Sequence, residues 1–322
     1  MRQTAVDLNI EDAYQSAHEG AILVDRSDLG MLTFTGETRL DLINRMSTQN
    51  VINLKNHQGA ATVLTTDIGR IIDRLILYAG EKTVYCLTSE NNSQNIAQYF
   101  MRFVFFMDDF QVDDLSDRTK IYALYGHLST KIASELFGPL PDLPLHHWLP
   151  IDIGTITAHL HRTDSIAGGG FFLSCESADG PVVMEQFKAV GLSPVADAAY
   201  DYLRIESGLP RFGQELTRDY IPLETGLWPD VSFNKGCYTG QEIIARMESR
   251  GRLAKRLVRL QLPDLVERGT ELTSGGKSAG SITSIGAGPA GVLALGYVKT
   301  SVLENGDQLF AGDIPVELLN DY

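Results

Sequence analysis

The chain has 322 residues, 43% hydrophobic and 21% charged, which is typical of a soluble globular protein of two or three domains. The net charge of −14 and pI near 4.9 argue against a general nucleic-acid binder, which needs excess Lys and Arg to neutralise phosphates. Residues 1–20 are polar and helix-like rather than a signal segment, and no apolar run reaches the ~18–20 residues that span a bilayer, so we expect a cytoplasmic protein.

The first third of the chain is predicted to alternate strands and amphipathic helices. Residues 21–36 form a strand, a turn and a strand, and residues 37–51 a helix with its apolar side chains at helical spacing. The β-branched runs within 60–89 predict a meander of strands. Residues 93–106 predict a second helix. The acidic, turn-rich stretch 108–120 is the predicted junction between two subdomains.

The same mixture continues after the junction. We expect strands over 120–127, 155–162 and 170–175, and a proline-rich loop over 139–150. A helix is predicted to begin with Ser129 as its N-cap, and a second helix to end at Gly191. A third helix, over 197–211, should be stopped by Gly208 and Pro210.

From Leu253 onward the sequence consists of short strands and Gly-rich turns, which predicts a small β-barrel or sandwich. The motif GAGPAG, residues 286–291, has the spacing of a dinucleotide-binding loop. It contains a proline and is followed by a strand rather than a helix, so we interpret it as a β-hairpin loop. The predicted domains are therefore residues 1–250 and 251–322.

The three cysteines are far apart in sequence and form no metal-binding motif. Cys86 and Cys175 lie in predicted strands and are interpreted as buried, inert thiols. One chain with three cysteines cannot supply the four thiolates that usually hold an iron–sulfur cluster. His159 and His161 share one face of a strand but have no third ligand at a matching spacing, so no metal site is expected.

The third cysteine, Cys237, lies in the polar turn KGCYTGQE, residues 235–242. Thr239 and Glu242 have the spacing of a capping box, so a helix should begin there. A helix N-terminus and the neighbouring Lys235 would both favour the thiolate form of Cys237. From the residues alone, a reactive thiol and an idle cysteine in a packed turn are equally good interpretations.

The octapeptide KGCYTGQE resembles the signature of the YgfZ family of folate-binding proteins that support iron–sulfur enzymes. Residues 202–227, 69–78, and 279–298 resemble segments shared by that family and the aminomethyltransferase of the glycine cleavage system. The resemblance covers nearly the whole chain. It implies an α+β, aminomethyltransferase-like fold of two α/β subdomains around a central channel, with a C-terminal β-barrel beside it.

The resemblance also implies a tetrahydrofolate site. Glu206, in RIESGLP, matches the residue that hydrogen-bonds the pterin, because a carboxylate can accept two N–H bonds from an aminopyrimidine edge. An ordinary solvated helix residue is the alternative interpretation. Other folate contacts are expected at Arg204, Tyr238, Gln241 and Arg246, the last within a basic cluster for the anionic glutamate tail, with Arg250, Arg252, Lys255 and Arg256.

The chemical groups are expected to be Cys237, Lys235 and Asp73. Two departures separate the chain from the transferase. The transferase pattern has Asp-Asp where this chain has Asp73-Arg74, and Asp where it has Cys237. Both favour the YgfZ resemblance over the transferase.

Three functions therefore remain open. The first is a folate-dependent accessory factor for iron–sulfur cluster assembly or repair, which would support iron–sulfur tRNA-modifying enzymes without binding RNA itself. The second is a folate-dependent aminomethyltransferase, the reaction expected if the protein is an enzyme. The third is a folate-binding module without chemistry. The expected partners are iron–sulfur client or assembly proteins; we expect a monomer and no membrane binding.

Overall fold

The computed structural model describes residues 9–321, which form two five-stranded antiparallel sheets and a closed barrel. The strands are β1 Ile22–Asp25, β2 Leu29–Thr35, β3 Gly59–Thr65, β4 Ile71–Ala79, β5 Thr83–Glu90, β6 Gln111–Asp114, β7 Thr119–Tyr125, β8 Trp148–Ile153, β9 Ile156–Ile166, β10 Gly169–Glu176, β11 Lys255–Leu262, β12 Glu271–Ser274, β13 Lys277–Gly288, β14 Gly291–Lys299, β15 Leu309–Ala311 and β16 Ile314–Asp321.

The helices cover the outer faces of the sheets and join them to the barrel. They are α1 Ile10–Glu19, α2 Arg39–Met46, α3 Ser93–Met101, α4 Ser129–Phe137, α5 Gly180–Ala189, α6 Asp197–Glu206, α7 Gln241–Arg250 and α8 Thr300–Asn305. Of the apolar residues at helical spacing that predicted α2, Ile43 and Met46 are buried against the sheet and Leu40 is partly buried. Of the predicted N-terminal helix, residues 1–8 lie outside the described residues.

The first two strands of the chain belong to different sheets. The order β3-β4-β5-β2-β6 makes one sheet, and β1-β7-β10-β9-β8 makes the other. β1 pairs with β7, although the β2 that follows it pairs with β5 and β6. The predicted meander is confirmed as β3-β4-β5. The short turn between β1 and β2 therefore crosses from one sheet to the other and ties the two subdomains together.

The C-terminal strands close into a six-stranded barrel in the order β11-β14-β13-β12-β15-β16, with β16 pairing back to β11. The barrel is one of the two architectures that the sequence predicts. GAGPAG is confirmed as the loop of the β13–β14 hairpin. α8 was not predicted, because its six residues are too short to show a helical period.

A shared core joins the barrel to the rest of the molecule. Tyr202 and Ile205 of α6 pack with Leu293 and Leu295 of β14, and with Val63 of β3, in one buried cluster. Tyr220 stacks on Tyr297 with ring centroids 3.4 Å apart. The barrel therefore packs tightly against the rest of the molecule, because its wall completes the buried core of the first sheet.

Two predicted helix caps are wrong. Leu128 is the N-cap of α4, and Ser129 is its first helical residue. The helix after the cysteine turn begins at Gln241 with Gly240 as N-cap, so Thr239 is not the cap and no capping box forms. Gly240 has φ of 84°, and a Cβ there would lie 2.5 Å from the Thr66 carbonyl oxygen, so this close approach requires glycine. Within residues 9–321, no helix is long and apolar enough to cross a membrane.

Candidate functional site

A channel runs between the two sheets and holds two adjoining cavities. The inner cavity, about 100 Å³, lies between β4–β5 of one sheet and β7, β9 and β10 of the other, with the segment 209–216 as its third wall. The outer cavity, about 380 Å³, lies between β3 and the segments 145–146, 207–210 and 225–230. Arg74, Asp164, Leu209 and Pro210 line both cavities, so Arg74 and Asp164 are the charged part of the partition between them.

Arg74 holds two carboxylates at this partition. Its Nη1 donates to Asp164 Oδ2 at 2.6 Å, and its Nε donates to Asp230 Oδ2 at 2.6 Å. Burial alone would raise the pKa of Asp164, but the charge and hydrogen bonds of Arg74 outweigh burial and hold that pKa below its usual value. Asp164 is therefore an ionised acceptor at neutral pH, facing the inner cavity with 24% of its side chain exposed.

The far end of the inner cavity carries a second charged group. Glu90 accepts from Arg26 Nη2 at 2.9 Å and from Arg211 Nε at 3.1 Å. Arg26 also donates to the Tyr200 hydroxyl and lies over the Tyr200 ring, 4.6 Å from its centroid. Together with Phe172, these groups give the inner cavity aromatic walls and charged ends, which suits a flat, polar-edged ligand.

His146 closes one side of the outer cavity in an unusual backbone conformation. Its φ is +61°, it is 7% exposed, and burial is the main cause of its lowered pKa. Its Nδ1 is buried and has no hydrogen-bond partner among residues 9–321. A Cβ on Gly59 would lie 2.0 Å from the His146 carbonyl oxygen, so this wall can form only against glycine.

The structure does not bring Asp73 into the channel. Residues 73 and 74 are successive on β4 and therefore face opposite sides of the sheet. Asp73 is fully buried and accepts from Ser89 N at 3.2 Å, from the Ser89 hydroxyl at 2.5 Å and from Asn92 Nδ2 at 2.9 Å. Burial raises its pKa to about 6. Asp73 therefore lines neither cavity, although its partner Ser89 lines the inner one, and its expected chemical role stays a prediction.

Glu206 also faces away from the channel. It lies at the end of α6 and accepts from the Tyr14 hydroxyl at 2.9 Å, and its other oxygen lies 2.9 Å from His18 Nε2. Both partners belong to α1, and neither lines the cavities. Of the segment that follows, residues 207–210 line the outer cavity, whereas Glu206 lines neither cavity. The expected pterin contact of Glu206 stays a prediction, and the carboxylate is already bonded to Tyr14.

The other predicted folate contacts are likewise outside the channel. Arg204 is 1% exposed and is enclosed by Asp201, Gln214, Glu215 and Ser284. Tyr238 is 7% exposed and packs in a small apolar cluster beside α7. Gln241 is the first residue of α7, and Arg246 bonds Glu242 on the same helix at 2.7 Å. None of the four lines either cavity.

Lys235 fastens the cysteine turn to α2 instead of facing the thiol. Its ammonium donates to the carbonyl oxygens of Asn44, Ser47 and Gln49 at 2.6, 2.8 and 2.7 Å. Burial lowers the pKa of Lys235 to about 8. Because all three donors are used at the C-terminal end of α2, Lys235 acts as an anchor. The Cys237 thiol is exposed on the anchored turn.

Cys237 is expected to be alkylated selectively in the folded protein. It is exposed, whereas Cys86 is fully buried and Cys175 is 6% exposed. Burial raises the pKa of Cys175 to about 11 and that of Cys86 well above its usual value. Brief iodoacetamide treatment at neutral pH, read by mass spectrometry, should label Cys237 at least about tenfold faster than either of the others.

Comparable labelling of all three cysteines before denaturation would contradict this prediction. The variant Lys235→Met tests the sequence-based expectation separately. If the ammonium reached the thiol, its removal would slow the labelling of Cys237. Because the ammonium is bound by three carbonyl groups, we expect the labelling rate to stay within about a factor of two.

Sequence reasoning missed most of the channel. Arg26, Glu90, Asp164 and Arg211 come from four separate turns and strands, and their charges carry no local motif. The sequence distinguishes Arg74 only because it stands where the transferase pattern has the second acid of an Asp-Asp pair. A usable signal was the concentration of charge on strands that are otherwise apolar, such as Asp164 on β9 and Arg74 on β4.

Two families match successive parts of the chain. Residues 2–235 match the GCVT N-terminal domain, and residues 255–320 match the CAF17 C-terminal β-barrel domain. Among curated proteins, "Putative transferase At1g60990, chloroplastic" of Arabidopsis thaliana is 30% identical over 310 residues, covering 95% of this chain and 71% of the relative. An aminomethyltransferase of Halalkalibacterium halodurans is 28% identical over 264 residues, covering 80% of this chain and 71% of the relative.

A solved structure matches over nearly the whole length. The glycine cleavage system aminomethyltransferase T from Bartonella henselae superposes with a TM-score of 0.86 at 21% identity, covering 97% of this chain and 89% of the other. The expected aminomethyltransferase-like fold with a C-terminal barrel is thereby confirmed.

Proposed function

The chain belongs to the GCVT N-terminal domain family, within the aminomethyltransferase superfamily, and on this premise we propose a tetrahydrofolate-binding accessory protein of the YgfZ type that supports iron–sulfur cluster assembly or repair. One observation carries the proposal. Arg74 places a cation that binds Asp164 and Asp230 in the middle of the channel, where the transferase pattern has a second acid. The CAF17-type barrel and the exposed Cys237 support the same choice.

The folate would place its pterin in the inner cavity, which would widen around it. Tyr125, Phe172 and Tyr200 offer ring faces on which a flat heterocycle can stack. Asp164 replaces Glu206 as the proposed acceptor for the N–H edge of the pterin. It is ionised and lines both cavities, and its second oxygen is 3.5 Å from Arg74 Nη2 and thus weakly engaged.

The variant Asp164→Asn should lower the affinity for tetrahydrofolate by about 1.5–3 kcal/mol, the usual cost of losing hydrogen bonds to a charged group. Glu206→Gln is the matched control, since it makes the same chemical change outside the channel and should leave the affinity unchanged. Calorimetry under anoxic conditions measures both. A loss of affinity in Glu206→Gln alone would favour Glu206 as the pterin acceptor, as the sequence suggests. No binding of tetrahydrofolate by the wild type would refute the folate proposal.

Cys237 is the group proposed to act on iron–sulfur clients. It is exposed, held on an anchored turn, and free of disulfide bonding. The test is rescue of a strain that lacks its own YgfZ-type protein, scored by the activity of an iron–sulfur tRNA-modifying enzyme. Wild type should rescue and Cys237→Ser should not. Equal rescue by both would favour the alternative of a folate-binding module without chemistry of its own.

The aminomethyltransferase reaction is the second candidate, because several relatives carry that name. Arg74 and Cys237 argue against it. We expect no methylene transfer from an aminomethyl-loaded carrier protein to tetrahydrofolate above the background rate. Turnover comparable to that of an authentic aminomethyltransferase in the same assay would make the transferase the preferred function.

A further inference from the structure

A third concavity lies beside the inner cavity, on the outside of the first sheet. We name it the α3 groove; it has a volume of about 460 Å³ and is formed by α3 and the segment 212–218. Phe212 and Leu216 line both the groove and the inner cavity. These two side chains therefore lie between the groove and the inner cavity.

The α3 groove carries two arginines that have no partner. Arg102 and Arg218 are both exposed, and neither guanidinium forms an ion pair or a hydrogen bond within the described chain, residues 9–321. The arginines of the channel differ, since Arg26, Arg74 and Arg211 each bind at least one carboxylate. Tyr99 also lines the groove, and burial raises the pKa of its hydroxyl group. The nearby charge of Arg218 lowers that pKa, whereas the charge of Asp67, an acid close to the groove, raises it.

Two unpaired cations in one groove are unusual on a protein with a net charge of −14. An anionic ligand would be drawn to the positive charges of the groove. The exposed amide of Gln98 adds a donor along the same wall, and Asn95 Nδ2, which donates to Asn92 Oδ1, has a second N–H. The groove is therefore chemically suited to an extended, flexible chain that bears several carboxylates.

We propose that the α3 groove binds the γ-linked oligoglutamate tail of a folate whose pterin occupies the inner cavity. This inference rests on the proposed folate binding. A folate leaving the inner cavity past Phe212 and Leu216 would deliver its glutamate carboxylates to Arg102 and Arg218. Each added glutamate brings another carboxylate, so longer tails should bind more tightly.

This site differs from the basic cluster that the sequence suggested for the tail. Arg246 is paired with Glu242, and the Lys255 ammonium lies 4.3 Å from the centroid of the Tyr220 ring. Neither residue, nor Arg252, lines the channel or the α3 groove. The side chain of Arg250 lies outside the described part of the structure.

The two locations can be compared directly with paired variants. Arg102→Gln/Arg218→Gln and Arg246→Gln/Arg252→Gln each remove two positive charges from the surface. The probes are tetrahydrofolate with one glutamate and with five, and calorimetry gives the affinity of each. Wild type should bind the pentaglutamate roughly tenfold more tightly, as expected for two partly exposed charge pairs. This gain should shrink as the salt concentration rises.

We expect the first double variant to lose the gain while keeping its affinity for the monoglutamate. The second should behave like wild type. Equal affinities of wild type for the two probes would overturn the tail site and leave the folate proposal standing. A gain lost only in the Arg246→Gln/Arg252→Gln variant would overturn it in favour of the basic cluster. No binding of either probe by wild type would overturn both proposals together.

Discussion

Replacing Arg204 by methionine is expected to lower the free energy of unfolding by about 3–5 kcal/mol, the range for removing one partner of a buried ion pair. Arg204 donates to Asp201, Leu209, Glu215, Gln214 and Ser284 at distances of 2.7–3.1 Å. Glu215 is fully buried and would be left without its cation. The variant would also remove the hydrogen bond between α6 and Ser284 of β13 in the barrel.

Urea unfolding followed by circular dichroism measures this effect. The double variant Arg204→Met/Glu215→Gln should recover part of the loss, because it removes the uncompensated charge. Arg118→Met is the surface control: Arg118 is exposed and pairs with Asp113 at 2.7 Å, so its loss should cost at most about 1 kcal/mol. Equal effects of Arg204→Met and Arg118→Met would show that the buried network contributes no more than a surface pair.

Replacing Arg74 by methionine should cost about 3–5 kcal/mol of folding free energy at pH 7 for the same physical reason. Asp164 and Asp230 would remain in the channel without their cation. This loss should depend on pH, unlike the loss caused by a cavity in an apolar core.

The direction of this pH dependence follows from the pKa of Asp164. In the wild type its pKa is lowered, so its contribution to stability is present above the unfolded pKa of about 3.9 and is lost as the pH falls further. Without Arg74, burial would raise that pKa, and the carboxyl group would be neutral at mildly acid pH. The destabilisation measured by urea unfolding should therefore be largest at pH 7 and smallest near pH 4. A difference independent of pH would contradict this account.

The fold was predictable where the sequence repeats a period or marks a turn. Leu42 and Ile43 of α2, and the hairpin at residues 286–291, lie in elements that hydrophobic spacing and turn residues define locally. The pairing of β1 with the second sheet could not be predicted from such local patterns. It depends on pairing between residues about 100 positions apart, and no local pattern records the partner of a strand.

The site was much less predictable. The spacing that suggested a capping box at Thr239 and Glu242 was overridden by Gly240, whose backbone fits closely against Thr66 and Gly69. The resemblance implies a pterin contact for Glu206, whereas in the structure Glu206 accepts from Tyr14 and lines neither cavity. Such side-chain directions depend on tertiary packing, which outweighs short motifs.

The junction between α6 and the barrel affects how the chain must fold during its synthesis. Tyr202 and Ile205 emerge from the ribosome roughly 90 residues before Leu293 and Leu295, which cover them, at the ~5–20 residues per second of translation. For several seconds the nascent chain therefore exposes an apolar face that only its final strands can cover. Chaperones that hold nascent chains would be needed most in that interval, and a ribosome stalled near residue 250 would leave an aggregation-prone product.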